Sequence, residues 1–273
     1  MSRIAGAKIL ITGGASGIGK LMGEICLEKG AERLIIWDRD PTKLQETIIS
    51  MKKGGFQAEG HLIDISRTEE VIRLADSLLA TYGEIDILIN NAGIITGKFF
   101  ELHSHEDIDL TMQVNTQAMM HITRVFLPSM LKAKKGHLVN IASAAGMASN
   151  PQMSVYVASK WAVIGWSESL RIELEQRSKG IRVTTVTPFY ISTGMFEGVR
   201  SPVVPILKPE KAARQILRDV ERNRIFSRMP WIVYAMPLVH GILPQRWYDH
   251  IIGKWFGIHS SMKNFRKKDS VSE

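Results

Sequence analysis

The chain has 273 residues, 45% of them hydrophobic, and a formal net charge of +8 at pH 7. That apolar content excludes a disordered or collagen-like chain and is enough for a full core. The positive charge would suit nucleic acid or an anionic membrane, but no aromatic RNA-binding box or zinc finger accompanies it, so no nucleic-acid partner is expected.

The single cysteine, Cys26, rules out a disulfide framework and a thiolate metal cluster, and it fits a reducing compartment. The eight histidines are scattered without the paired spacing on one helix face that a zinc site needs, so no metal is expected in the chemistry. Met1 runs almost directly into an apolar strand at Lys8–Ile11, which predicts no signal peptide or anchoring helix ahead of the fold and a cytoplasmic protein.

From Lys8 to about Thr187, short β-branched runs alternate with helix-period segments. Strands are predicted at Lys8–Ile11, Arg33–Trp37, Gln57–Ile63, Ile85–Ile89, His137–Ala142 and Arg182–Thr187, with helices near Ile18–Lys29, Thr42–Lys53, Thr68–Tyr82, His105–Lys132 and Ser154–Arg177. This is the pattern of an α/β chain: a doubly wound, Rossmann-type parallel sheet with helices on both faces. Its ligand crevice lies beyond the carboxyl ends of the strands, where strand order reverses, so functional residues should follow strands. Residues 1–200 read as a dinucleotide-binding and catalytic domain. Residues 201–273 read as the end of a substrate loop and a C-terminal amphipathic, basic extension of the same domain.

After the first strand comes Thr12-Gly13-Gly14-Ala15-Ser16-Gly17-Ile18-Gly19, and then a helix. Gly13, Gly17 and Gly19 allow a tight turn, close backbone approach to a pyrophosphate and helix-on-strand packing, while the helix N-terminus, with Ser16 and Ile18, offers free amides to anionic oxygens. A glycine loop alone is weak evidence, but here strand, helix and an acid at the end of strand two, Asp38, occur together. The Asp38 carboxylate would accept from ribose hydroxyls and repel a 2′-phosphate, which favours NAD over NADP. Arg39 follows directly and either reaches a phosphate or is merely solvated. Asp64, after strand three, is placed to accept from an adenine amino group with Ile65 covering the ring, or else caps the next helix.

Thr12-Gly-x-x-x-Gly-x-Gly19, Asn90-Asn91-Ala92-Gly93, Ser143 and Tyr156-x-x-x-Lys160 stand in the order and positions of the short-chain dehydrogenase/reductase family, which the chain resembles from about Lys8 to Thr193. The resemblance implies that Asn91, Ala92 and Gly93, with Asn90, line the cofactor and stabilise the central strand.

The chemistry can be reasoned beside the resemblance, because hydride transfer to or from nicotinamide requires a proton to move on the alcohol oxygen. Tyr156 and Lys160 lie four apart on one helix face, where the ammonium would lower the phenol pKa and favour a phenolate base. Ser143 ends strand five, where its hydroxyl can orient the reacting oxygen. By the resemblance, Asn115 helps hold a water that links Lys160 to solvent; Pro188, which ends the strand, borders the cofactor, and the backbone and threonine of Ile191-Ser192-Thr193 hold the nicotinamide carboxamide. There is one departure: the family commonly has glycine after that proline, whereas this chain has Phe189 and Tyr190, which either pack under the substrate loop or contact substrate.

Between Phe189 and Pro209 the prolines and the apolar residues Met195, Phe196, Val199, Val203, Val204 and Ile206 suggest a loop over a greasy pocket. A helix near Pro209–Arg222 follows. Ile225–Leu243 is apolar but interrupted, so it reads as a buried or interfacial segment rather than a membrane span. From Gln245 to Ile258, Trp247, Ile251, Trp255 and Tyr248, Ile252, Phe256 recur every four positions in an amphipathic helix, followed by Lys263, Arg266, Lys267 and Lys268. That helix either docks on an anionic membrane surface or packs on the domain or a sister subunit.

Leu34-Ile-Ile-Trp-Asp38, Ser143-Ala-Ala-Gly146 and Ile242-Leu-Pro244 resemble the branch of retinol and lipid-associated 17-beta-hydroxysteroid dehydrogenases, with the departure that the hydrophobic N-terminal anchor common there is not expected here. The expectation is an oxidoreductase moving a hydride between NAD(H) and a hydrophobic alcohol or ketone such as a retinoid, steroid or long-chain alcohol. The alternatives are an NADPH-dependent carbonyl reductase and a non-catalytic nucleotide- or lipid-surface-binding protein. A homodimer or homotetramer is expected from the family, with the His105–Lys132 and Ser154–Arg177 helices pairing across a two-fold axis and Trp161 and Trp166 in that contact or the core.

Overall fold

The computed structural model describes residues 2–262 and residue 265, so the basic run Lys263, Arg266, Lys267 and Lys268 lies outside the described residues. Seven parallel strands form one sheet: β1 (Lys8–Thr12), β2 (Arg33–Asp38), β3 (Ala58–Leu62), β4 (Ile87–Asn90), β5 (Gly136–Ile141), β6 (Ile181–Pro188) and β7 (Phe226–Met229). Their order is β3-β2-β1-β4-β5-β6-β7. Strand order reverses between β1 and β4, which opens the crevice at Thr12–Gly13 and Asn90–Asn91.

The central strands are apolar at almost every position because helices cover both faces. Side chains alternate between the two cores. Ile9 and Ile11 of β1 join Leu34 and Ile36 of β2 under helices α1 (Gly17–Glu28), α2 (Pro41–Lys53) and, later in the chain, Pro209–Glu221. Leu10, Ile35 and Trp37 point the other way, against α3 (Thr68–Tyr82) and the helix carrying Ile122 and Phe126. Local sequence starts these helices: the Asp40 carboxylate accepts from Lys43 N with Pro41 in the first turn, and Ser104 and Asp107 form a capping box ahead of α4 (His105–Met112).

The single helix expected over His105–Lys132 is broken. After α4 comes a π turn at Gln113–Gln117 and then α5 (Ala118–Ala133). The extra backbone residue in such a turn re-aims a side chain without ending the helix, and here that side chain is Asn115. Then follow α6 (Ser154–Arg177), α7 (Pro209–Glu221), α8 (Met236–Ile242) and α9 (Gln245–Tyr248), the last running into a second π segment at Asp249–Trp255.

Two C-terminal expectations need correction. Ile225–Leu243 contains β7, a four-residue edge strand that pairs only with β6; it was hidden by its length and by Arg228 at an outward position. The aromatic periodicity of 245–258 does not mark one continuous face. Tyr248 is buried against Ala144, Met147 and Val233, donating from its hydroxyl to Met147 O at 3.2 Å, whereas Trp247 and Trp255 stand 65% and 70% exposed. Among the described residues no helix is long and apolar enough to cross a membrane.

Candidate active site

The glycine loop turns between β1 and α1. Gly13 N donates to Trp37 O at 2.7 Å, and the positive φ angles of Gly13 and Gly17 suit residues without a Cβ. A Cβ on Gly19 would lie 2.2 Å from Gly13 O and 2.5 Å from Asn91 Nδ2, so only glycine lets the helix approach this closely. Ser16 occupies the N-cap of α1 without a side-chain capping bond, which leaves the first amides of the helix, including those of Gly17, Ile18 and Gly19, directed outward. Thr193 sits over this opening, its Cβ 3.6 Å from the position of a Cβ on Gly17.

Asn91 fastens the loop to β4. Its Nδ2 donates to Thr12 O and Gly13 O, each at 3.0 Å, and the backbone N–H groups of Asn91 and Ala92 donate to Thr12 Oγ1 at 3.0 and 3.1 Å. Thr12 opens the glycine motif in the sequence but was given no role there; its signal is a threonine closing a strand immediately before the glycine turn. Asn90 is buried and donates to Thr123 Oγ1 and Asn140 Oδ1, cross-linking β4, β5 and α5.

Asp38 closes β2, where its carboxylate accepts from Ala15 N at 2.9 Å and Asp40 N at 3.1 Å. It is half-buried beside the loop, while Arg39 is exposed. Asp64 accepts from Ser66 N at 3.0 Å and Ser66 Oγ at 2.7 Å, a local turn ahead of α3, and Ile65 is buried beside it. The N-cap of α3 itself is Arg67.

Four candidate catalytic residues converge from β5, α6 and the π turn. Tyr156 and Lys160 lie one turn apart on α6, with Lys160 Nζ 5.7 Å from the Tyr156 ring centroid and donating to Ile141 O at 2.9 Å. Burial holds the Lys160 pKa down at about 8. Burial also pushes the Tyr156 phenol above its ordinary value, while its hydrogen bond with Ser143 pulls the other way. The lowering expected from Lys160 is not seen; burial dominates, and the opposing pull comes from Ser143.

Asn115 is fully buried. Its Oδ1 accepts from Ile94 N at 2.8 Å, and its Nδ2 donates to Ile94 O at 2.9 Å and Ser159 Oγ at 3.1 Å. A Cβ on Gly93 would lie 3.3 Å from Asn115 Oδ1 and 3.7 Å from Lys160 Nζ, so the two groups face the same side-chain-free position. Ser159 and Ile94 were missed in the sequence, since nothing in their spacing points to Asn115.

Pro188 ends β6, Ile191 is buried and bridges Leu207, and Phe189 and Tyr190 stack edge to face with centroids 4.7 Å apart. Beside Ser143 lies a small cavity of about 30 Å³ walled by Met153, Phe189, Tyr190, Phe196, Met236 and others. Phe196 meets Tyr156 edge-on at 6.0 Å, and Val199 and Val204 are buried, while Met195, Val203 and Ile206 point to solvent.

The residues fit a dinucleotide: a glycine cradle that a Cβ would fill, a helix N-terminus without a capping side chain, and a carboxylate at the end of the second strand. Fold and site together define a dinucleotide-binding oxidoreductase of the α/β class. The family model for short chain dehydrogenases matches residues 7–203, and the chain belongs to that family, whose members act on CH–OH groups.

Among its relatives, mouse epidermal retinol dehydrogenase 2 is 38% identical over 267 residues, covering 96% of this chain and 86% of the relative. Human short-chain dehydrogenase/reductase 3 is 34% identical over 262 residues, covering 94% and 86%. Among solved structures, a Burkholderia phymatum short-chain dehydrogenase in complex with NAD superposes with a TM-score of 0.80 at 28% identity, covering 88% of this chain and 95% of that one. A metagenomic short-chain oxidoreductase in complex with NADP gives 0.71 at 28% identity, covering 83% and 96%.

Proposed function

We propose that this protein interconverts a bulky apolar alcohol, of retinoid, steroid or long-chain type, and its carbonyl, using NAD(H). The observation that carries the reading is the convergence of Tyr156, Lys160 and Asn115 behind Ser143, which is hydrogen-bonded to Tyr156 and lines a cavity walled by aromatic and methionine side chains. The relatives named as retinol dehydrogenases support the substrate class.

A nicotinamide held above Ser143 and Tyr156 would supply the hydride acceptor or donor at the carbinol carbon. Gly13, Ser16, Gly17, Ile18 and Gly19 would bind the pyrophosphate, and Asp38 the ribose hydroxyls. Asp64, through the carboxylate oxygen not used by Ser66, and Ile65 would bound the adenine. Asn91, Ala92, Gly93, Pro188, Ile191 and Thr193 would shape the nicotinamide end.

In oxidation the Tyr156 oxygen takes the alcohol proton, and in reduction it returns it; Ser143 Oγ holds the reacting oxygen within reach. Lys160 would contact the ribose of the bound nucleotide, and it places its ammonium beside the phenol. Asn115 Oδ1, facing Lys160 across Gly93, would hold a relay water through which the proton leaves.

A cavity of about 30 Å³ is far too small for a bulky alcohol, so its entry would require the segment 189–209 to move outward. We place residues 201–273 in the same domain as the sheet. A second reading, an NADPH-dependent carbonyl reductase, rests on Arg39, exposed directly after Asp38.

We also propose a cytoplasmic protein resting on a lipid surface through its C-terminal third. Trp231 (79% exposed), Leu238, Ile242, Trp247 and Trp255 present an amount of apolar surface that is costly in water, and exposed Arg246 and Lys254 lie among them. The buried thiol of Cys26 suits a reducing compartment. A homodimer or homotetramer would pair α5 and α6, on which Trp161 and Ile172 are exposed while Trp166 is half-buried.

The test is absorbance at 340 nm with NAD⁺ or NADP⁺ against retinol, hydroxysteroids, long-chain alcohols and short polar alcohols. Turnover of the apolar alcohols with NAD⁺, lost in Tyr156→Phe, is expected. Turnover of polar alcohols alone would overturn the substrate class.

A further inference from the structure

Phe189 and Tyr190, the departure after Pro188, play no part in the proton chemistry above. Tyr190 has a different engagement. Its hydroxyl, Asn150 Nδ2 and Ser261 Oγ form a closed triangle with sides of 2.9 Å (Asn150 to Tyr190), 3.0 Å (Asn150 to Ser261) and 2.9 Å (Tyr190 to Ser261). The corners come from the loop after β5, the end of β6 and the C-terminal segment, so the arrangement exists only in the folded protein.

Its hydrogens can be counted. Ser261 O–H donates to Ile258 O at 2.8 Å, and Tyr190 O–H then donates to Ser261 Oγ. The two amide hydrogens of Asn150 go to the Tyr190 and Ser261 oxygens, with Met153 Sδ nearby at 3.3 Å. Every donor has an acceptor, and one strong acceptor is left over: Asn150 Oδ1, buried without a hydrogen-bond partner on a residue only 8% exposed. The opposite amide orientation would strand two hydrogens in place of one oxygen, so the orientation shown is the favoured one.

Asn150 and Tyr190 line the same cavity as Ser143. A buried, orphaned amide oxygen on a residue that lines a substrate cavity is suited to a donor that arrives with the substrate. We propose that Asn150 Oδ1 accepts a hydrogen bond from a second hydroxyl of the substrate, so that the preferred substrates are apolar alcohols carrying a further hydroxyl away from the reacting carbon. This rests on the dehydrogenase reading above. Tyr190 and Ser261 are positioning residues: they consume the amide hydrogens and thereby aim the carbonyl oxygen. The C-terminal segment thus completes the site through Ser261, and Met262 and Phe265 pack beside Met153 and Tyr190.

The test compares α,ω-diols of graded length with monoalcohols of the same length, using the full chain with NAD⁺, reading both KM and the dissociation constant by calorimetry. A symmetrical diol has a statistical advantage of about twofold. At the best length the wild type is expected to bind the diol about tenfold tighter than that, the scale of one hydrogen bond to an otherwise unpaired buried acceptor. Asn150→Leu is expected to reduce the preference to the statistical value. Tyr190→Phe, a milder change, should raise KM for diols more than for monoalcohols with a smaller effect on kcat. Equal affinities at every length in the wild type, statistics aside, would overturn the acceptor whether or not either alcohol turns over. Discrimination in binding without turnover of any alcohol would instead overturn the dehydrogenase reading and leave the acceptor standing.

Discussion

Lys160 is fully enclosed, and its pKa falls from 10.5 to about 8 because burial disfavours the ammonium. An unfolded chain holds that proton more tightly, so the folded state is penalised wherever the unfolded lysine is charged. At 1.36 kcal/mol per pKa unit, the penalty at pH 7 is about 3 kcal/mol, and it fades as pH rises from about 8 to 10.5. Lys160→Met keeps the aliphatic stem and removes the charge, but it also removes the 2.9 Å bond to Ile141 O, worth about 1 kcal/mol. In the cofactor-free protein the variant should therefore be more stable than wild type by about 2 kcal/mol at pH 7. The difference should shrink with rising pH and change sign near the ordinary lysine pKa. Urea denaturation at a series of pH values measures this directly. A variant less stable than wild type at pH 7 would show instead that the ammonium is held by attraction rather than merely tolerated.

Because burial raises the Tyr156 pKa, the phenol keeps its proton near neutrality, so kcat/KM for alcohol oxidation should rise with pH above 7 while carbonyl reduction does not; the reverse order would contradict its role. Asp38→Asn keeps one acceptor for the loop amides but loses the charge, and should weaken NAD⁺ binding roughly tenfold while narrowing discrimination against NADP⁺, as read by nucleotide titration. Gly19→Ala drives a Cβ into Gly13 O and the Asn91 amide, and should abolish nucleotide binding and lower Tm; retained binding would show that the loop has room to spare. Trp247→Ser with Trp255→Ser should reduce co-sedimentation with anionic vesicles several-fold without lowering Tm, since both side chains are exposed.

The doubly wound sheet was legible because six apolar strand runs alternate with five helix-period segments, with turn residues between, and the parallel arrangement follows from that alternation. The glycine loop and Asp38 were legible because backbone geometry demands those residue types locally. Asn115 was reached only through the family resemblance: a buried amide inside a helical stretch has no periodic signature, and the π turn that aims it is invisible in composition. β7 was missed since four residues with an arginine among them do not separate from a loop. The direction of the Tyr156 shift was misjudged for a physical reason, as sequence spacing reveals a neighbouring charge but not the burial that opposes it. The split of the C-terminal aromatics into a buried Tyr248 and exposed tryptophans depends on tertiary packing, which periodicity cannot assign to one neighbour or another.

In the proposed reaction, hydride passes directly between an apolar alcohol and a nicotinamide bound at this site. Incubation of the enzyme and NAD⁺ with a long-chain alcohol deuterated at the carbinol carbon, followed by mass analysis of the nucleotide, tests it most directly. The expected product is reduced nicotinamide heavier by one mass unit, formed by the wild type and not by Tyr156→Phe. Aldehyde formed with no label in the nucleotide, or label transfer undiminished in the variant, would contradict it.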